Sequence, residues 1–471
     1  MNLAIDPIEV DSIRISLNKL QFFLINGIFW NILSSYLRIY LSMSFEFKLN
    51  FMRFITYNAK NFRKIEYMKY LPEEVKKEIE IVAKVIPFKT NNYVVDHLID
   101  WDNYETDPIY ILNFPNRHML REEQYDRVKR GVEQNLPEKE LYKIINGIRM
   151  ELNPHPAQQM TNIPELNGEK LNGVQHKYRD IVLFFPTQGQ SCHAQCTFCF
   201  RWPQFTKELD MQFSMREIDK VIEYIRQNEY VHELLFTGGD PMIMSPATLK
   251  VYIDAILEAK LENLEVIRFG SKSLSYWPFT FLPAFNEEAE DMLDIFKSIT
   301  NSGLHLSFMA HFNHHVELDN EVVQEAMRNI RATGAQIRTQ APLLKHINDS
   351  SEVWAEMWKK QVNLGLVPYY MFIERETGPY DYFQIPLSRA YQIYTEAIRE
   401  TGSLGKTITG PVMSAAKGKV QVLGISENPL DGRKLFVLQY VRHRDYRETY
   451  KPFYMNYDET STWVDQLKVL V

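Results

Sequence analysis

Between residues 180 and 401 the chain repeats one pattern six times: a short apolar run, then a longer amphipathic stretch. Residues 180–185 (Asp180-Ile-Val-Leu-Phe-Phe185) form a continuous apolar run, suited to a strand buried on both faces. Similar runs at 233–237, 264–270, 304–311, 335–340 and 368–373 alternate with helical patterns at 216–228, 246–259, 287–302, 320–334, 351–364 and 388–401. Strands separated by helices run parallel through right-handed crossovers. The expectation is an α/β fold, a partial (β/α)6 barrel of TIM type over residues 176–425. In such barrels chemistry gathers on the loops beyond the carboxyl ends of the strands.

The first of those loops holds all three cysteines of the chain, Cys192, Cys196 and Cys199, at C-x3-C-x2-C spacing with Phe198 before the last. Thiolates are soft ligands suited to iron–sulfur clusters and to zinc. Three of them leave one iron of a [4Fe–4S] cube open to a substrate or cofactor. His193 could complete a zinc site instead, or the thiols could be bystanders. A structural zinc usually draws on two paired ligand clusters, and no second C-x2-C or H-x3-H pair exists here. The spacing resembles the signature of the radical S-adenosylmethionine (SAM) superfamily, in which SAM chelates the open iron.

The chain has 471 residues, 45% of them hydrophobic, enough for a large domain with appendages. A net charge of −7 gives no basic footprint for nucleic acid. Thiolate ligands need a reducing compartment, which points to the cytoplasm. Residues 22–37 are apolar, but Asn26, Asn31, Ser34 and Ser35 interrupt them and Arg38 follows. The run falls short of the 18–20 or so apolar residues of a membrane span. Residues 1–51 read as a poorly ordered extension, with Met43 and Met52 as alternative starts. Residues 52–175 read as a mainly helical accessory region, with helices at 72–85, 121–135 and 138–151 and nothing that announces chemistry.

Other strand-end loops add polar groups. Gly238 and Gly239 let the backbone approach a ligand closely, and Asp240 can accept from a ligand amine. This segment looks like the radical SAM glycine motif that holds the SAM amino group. Ser271, His311 and Gln340 lie after later strands and would line the same rim.

The segments Val182-Leu-Phe-Phe185, Gly238-Gly-Asp240, Arg268-Phe-Gly-Ser271, His311-Phe-Asn-His314, Leu343-Leu-Lys-His-Ile-Asn-Asp349 and Pro368-Tyr-Tyr370 occur in this order. Together they resemble the lysine 2,3-aminomutase family over residues 150–425. The resemblance implies a lysine that holds pyridoxal 5′-phosphate (PLP) as a Schiff base. Lys419 matches it, with Lys417 close behind, although the family's run of glycines is absent. Lys177 falls where the family uses an arginine on the PLP phosphate. Arg201 matches the arginine that clamps the substrate carboxylate. Lysine-specific members grip the distal ammonium with two aspartates; here the aligned residues are Arg375 and Met413, which argues against free lysine. Zinc-binding members carry further cysteines, and none is left in this chain.

The implied chemistry starts with a 5′-deoxyadenosyl radical made from SAM by the reduced cluster. That radical takes a hydrogen from an amino acid carried on PLP, whose nitrogen then moves to the neighbouring carbon. Such an enzyme needs an electron donor, and relatives of this kind are oligomers. Two other readings stand: a PLP-independent radical SAM enzyme, and a metal-binding protein without turnover. Residues 426–471 read as one strand at 434–442 and an aromatic tail ending in Trp463, which could pack on a partner subunit. Anaerobic reconstitution is expected to give a brown protein with about four irons per chain that cleaves SAM. A colourless protein, or one zinc per chain, would sink the radical reading.

Overall fold

The structure, a computed structural model, describes residues 53–154, 161–206 and 213–469. The apolar run at residues 22–37 and the rest of the N-terminal extension lie outside the described residues. Among the described residues no helix is long and apolar enough to cross a membrane.

An eleven-stranded sheet organises these residues, its strands lying side by side in chain order. Its strands are β1 (Val174–Tyr178), β2 (Ile181–Phe184), β3 (Glu233–Phe236), β4 (Val266–Ser271), β5 (His305–His311) and β6 (Gln336–Leu343). They continue as β7 (Val367–Ile373), β8 (Thr409–Ser414), β9 (Gly418–Glu427), β10 (Lys434–His443) and β11 (Pro452–Asn456). Every pairing from β2 to β8 is parallel; the outer pairings are antiparallel. Six helices make the crossovers: α1 (Ile218–Gln227), α2 (Pro246–Glu258), α3 (Ala289–Asn301), α4 (Glu321–Ala332), α5 (Ser351–Asn363) and α6 (Leu387–Glu400). The fold is a partial TIM-type barrel, as the alternation in the sequence predicts.

The two faces of the sheet differ. Phe184, Phe236, Phe269 and Phe308 stand at one level on β2 to β5, each paired to the next across the ladder and all fully buried. They pack outward on the helices: Phe184 meets Tyr252 of α2, with ring centroids 5.5 Å apart, and Phe269 stacks on Phe296 of α3 at 5.5 Å. Burying each such ring stabilises by about 1.5–3 kcal/mol. On the other face, strict alternation along β4 and β6 leaves Arg268, Arg338 and Gln340 half-buried. The strands are therefore not apolar on both sides, as residues 180–185 suggest. Their inner face lines a polar interior.

Two stretches depart from the sequence reading. Residues 410–420, the stretch matched to the family's lysine, form a hairpin of β8 and β9, with β8 a seventh parallel strand that the six-fold alternation does not include. The segment after residue 425 carries β10 and also β11, and Trp463 is buried at 4% exposure inside its own chain. Leu387 donates its N–H to Ser461 O at 2.9 Å, and Tyr380 and Thr462 share a hydroxyl–hydroxyl contact, so the tail packs on α6 and the β7 loop. Trp463 is not free for a partner.

The loops after β4 and β5 are locked together by a buried ion pair. Lys272 Nζ donates to Glu317 Oε1 at 2.5 Å, and Ser275 donates to the same oxygen. Oε2 of Glu317 accepts the N–H groups of Asn313 at 2.5 Å and His314 at 2.9 Å. Glu317→Ala strands a buried ammonium and two N–H groups, so it is expected to lower stability by about 3–5 kcal/mol. The midpoint of urea unfolding under anaerobic conditions reads this; a loss under 1 kcal/mol (roughly a surface pair's worth) would mean the site is open to water.

Candidate active site at the mouth of the barrel

The cysteine loop leaves β2 through a single 3-10 turn, Thr187–Gly189. It is braced by the accessory region in which the sequence shows no chemistry. Thr197 N–H donates to Leu112 O at 2.9 Å, and its hydroxyl to Ile111 O at 2.8 Å. Gln195 N–H donates to Lys89 O at 2.7 Å, while Lys89 Nζ reaches Cys192 O at 2.5 Å. Asn91 Nδ2 donates to His193 O at 3.2 Å and to Tyr276 O at 3.0 Å. Asn91 also accepts from Val94 N–H as a helix cap, which is the one local role its sequence context signals.

The three thiols are half-buried on this one loop. Burial raises all three above the ordinary thiol value, Cys196 to about 12, so a metal must draw off their protons on binding. His193 does not join them. Its ring sits edge-on to Phe54 at 5.8 Å, and its Nδ1 is buried without a partner. Among the described residues no three His, Cys, Asp or Glu side chains converge closely enough to hold a single ion. A cube takes each thiolate on a different iron and asks for no such convergence. The loop fits a cluster.

The glycine loop packs directly on the cysteine loop. Gly238 has φ +144°, and a Cβ on it would run into the Gln190 side-chain amide; one on Gly239 would strike Ser191 O. Asp240 N–H donates to Ser191 O at 2.7 Å. The Asp240 carboxylate accepts Ser271 Oγ at 2.7 Å, Met242 N–H at 2.9 Å and Lys272 N–H at 2.9 Å. Burial raises this carboxyl to about 6 against the pull of those donors. The sequence suggests that Asp240 and Ser271 face a ligand. The structure shows them bound to each other, tying the loop after β3 to the loop after β4.

His311 is different. It ends β5 beside Gln340, its register partner on β6, and its ring is edge-on to Phe198 at 5.8 Å. Its Nε2 is buried with no hydrogen-bond partner, and burial together with Lys272 pushes the imidazole well below its usual value. A neutral, unpartnered ring nitrogen beside the cysteine loop suits a polar ligand such as SAM.

Across the mouth lies a basin of cations. Lys419 Nζ sits 4.0 Å from the centroid of Tyr370 and 4.9 Å from that of Phe372. The ladder between β9 and β10 slips at Lys419/Val420, and a Cβ on Gly418 would strike Arg442 O. A bulge of this kind re-aims a side chain. Burial, then Arg442, Arg268, Lys177 and Arg375, hold the Lys419 ammonium well below the usual lysine value. Lys417 is exposed at the hairpin turn. Lys177 Nζ donates to Ala415 O at 2.5 Å, and burial lowers it to about 8. Arg201 Cζ lies 4.4 Å over Phe185, and burial, with Arg375 nearby, lowers it to about 10. Arg268 and Arg442 are paired, with Glu233 at 2.6 Å and with Asp180. Lys177, Arg201, Arg375 and Lys419 form no ion pair with a described carboxylate.

The profile of the Radical SAM superfamily matches residues 188–356, the cysteine loop through the middle of α5. A putative L-lysine 2,3-aminomutase of Aquifex aeolicus (strain VF5) is 29% identical over 362 residues, covering 76% of this chain and 83% of its own. The L-lysine 2,3-aminomutase of Clostridium subterminale is 28% identical over 247 residues, 52% of this chain and 55% of its own. That of Methanococcus maripaludis is 26% identical over 329 residues, 70% and 64% of the two chains. The chain thus spans less than two thirds of the latter two relatives. The cysteine spacing, the barrel and this kinship agree: the chain is a radical SAM enzyme related to the lysine 2,3-aminomutases, and a [4Fe–4S] cluster and SAM are its cofactors.

Proposed function

We propose that this enzyme moves an amino group between neighbouring carbons of an amino acid other than free lysine, with PLP held by Lys419. The observation that carries this is the setting of Lys419: aimed inward by a bulge, against two aromatic rings, with burial and then the neighbouring cations lowering its amine well below the usual lysine value. A lysine with a lowered value is readier to attack a carbonyl cofactor, and the relatives named for aminomutase activity are 26–29% identical to this chain. Lys417, on the exposed turn, offers no such pocket.

When bound, the cluster and SAM supply a hydrogen-abstracting radical, and PLP supplies the conjugated system that lets nitrogen change carbons. The chain's own residues then bind and orient. Lys177, beside the hairpin turn, is placed to meet a phosphate as a point charge. Arg201, between the cysteine loop and Arg375, is placed to take an α-carboxylate bidentately. Gly238, Gly239 and Asp240 keep the cluster loop in register with the rim, and His311 and Gln340 offer polar groups to SAM. Fixed positions of this kind bring reacting atoms together without a search in solution. Met413 is fully buried, its backbone paired with Val420, and cannot grip a distal ammonium. The enzyme acts in a reducing cytoplasm with a low-potential electron donor.

Anaerobically reconstituted protein should take up PLP with a visible absorbance band. Lys419→Ala is expected to abolish the band and amine migration while retaining the iron content and cluster spectrum. Lys417→Ala should keep all of these. Retention of the band in Lys419→Ala would refute the assignment.

A further inference from the structure

Two of the unpartnered cations lie over one ring. Arg375 Cζ is 4.4 Å from the centroid of Phe200, and Arg201 Cζ is 5.0 Å from it. Each guanidinium depresses or is depressed by its neighbours: Arg375 lowers Arg201, Lys177 and Lys419. Arg375 follows β7 directly, and the acids flanking it give it nothing. Glu374 is buried with neither oxygen hydrogen-bonded, and burial raises its carboxyl well above the usual value. It lines a separate small cavity with Leu343, Tyr380, Gln384 and Thr462. Glu376 accepts from Gln466 Nε2 at 2.8 Å. Arg375 is thus a half-buried guanidinium on an aromatic face, next to a second guanidinium, with no described anion of its own. One α-carboxylate can answer only one of the two.

We infer that the substrate is an α-amino acid whose side chain ends in a carboxylate, gripped by Arg375 while Arg201 takes the α-carboxylate. This rests on the aminomutase reading above and names its substrate class. A planar guanidinium fork matches a carboxylate in two parallel hydrogen bonds, and the shared ring fixes both forks within the span of one amino acid. The same residue repels an ammonium, so it selects against lysine as well as for an acid.

The test uses reconstituted protein carrying cluster and SAM, with and without PLP, and the probes L-glutamate, L-aspartate, L-glutamine and L-lysine. Affinity is read by calorimetry and, with PLP, by the shift of its absorbance band. Glutamate or aspartate is expected to bind about 10–100-fold more tightly than glutamine or lysine. Arg375→Gln should erase that preference and leave PLP uptake intact; Arg375→Lys should restore part of it. Glutamine or lysine binding as tightly as either acid overturns the inference, as does the absence of binding by any probe. So does an Arg375→Gln protein that loses PLP affinity but keeps the preference, since Arg375 would then serve the cofactor phosphate. Acid-selective binding without a PLP band sustains the substrate class and overturns the PLP assignment. A normal band without acid selectivity does the reverse.

Discussion

A cation taken out of water costs several kcal/mol unless an opposite charge or strong hydrogen bonds meet it. The mouth of this barrel holds Lys177, Arg201, Arg375 and Lys419 half-buried, with no described carboxylate against any of them. Aromatic faces answer part of the cost: Tyr370 and Phe372 under Lys419, Phe185 and Phe200 under Arg201, Phe200 under Arg375. Each contact of this type is worth about 0.5–2 kcal/mol. The Ala415 carbonyl adds one hydrogen bond to Lys177. The remainder is unmet by the protein. A set of like charges held this way is incomplete until anions enter, and binding is then favoured by every charge that the fold has left unanswered.

Holding repelling groups in place demands a stiff frame. Part of that frame is two buried acids. Asp240 joins the glycine loop to the loop after β4, and Glu317 joins that loop to the one after β5. Arg268 and Arg442 have carboxylate partners and brace β4 to β3 and β10 to the start of β2. Paired charges tie strands and loops together, and the four unpaired ones lie within one another's influence.

The barrel was legible in the sequence because its outer face is built from apolar residues at regular intervals, with Phe184, Phe236, Phe269 and Phe308 at matching positions in four strands. The cysteine loop was legible because ligand spacing is local. What escaped is long-range or context-dependent. Thr197 leans on Leu112, and Lys89 on Cys192, through backbone groups that every residue carries. No residue type marks such contacts. The β8–β9 hairpin was hidden by Gly410, Pro411 and Gly418, which suggest a loop; the β7–β8 register slips between Thr409 and Val412 and so accommodates Gly410 and Pro411. Asp240 and Ser271 both follow strand ends in the sequence, but only folding brings them together to satisfy one another.

The four free cations are not equivalent, and their order across the mouth follows from which anions can reach them. Arg201 is within the influence of Cys199 and Cys192, whose deprotonated forms favour its charge. Cluster assembly therefore relieves Arg201 from one side before any substrate arrives. Lys419 holds its proton less tightly than an ordinary lysine, because burial and then the neighbouring cations disfavour its charge. Lys177 has a carbonyl and a moderate shift, to about 8. Arg375 has none of these outlets: its only favourable charged neighbour is the Tyr178 hydroxyl, which burial raises to about 12 and so keeps neutral. A guanidinium cannot discard its proton at any accessible pH. Among the four, Arg375 is the half-buried group with neither a described counter-charge nor a proton to give up, so an anion from outside the chain gains most there.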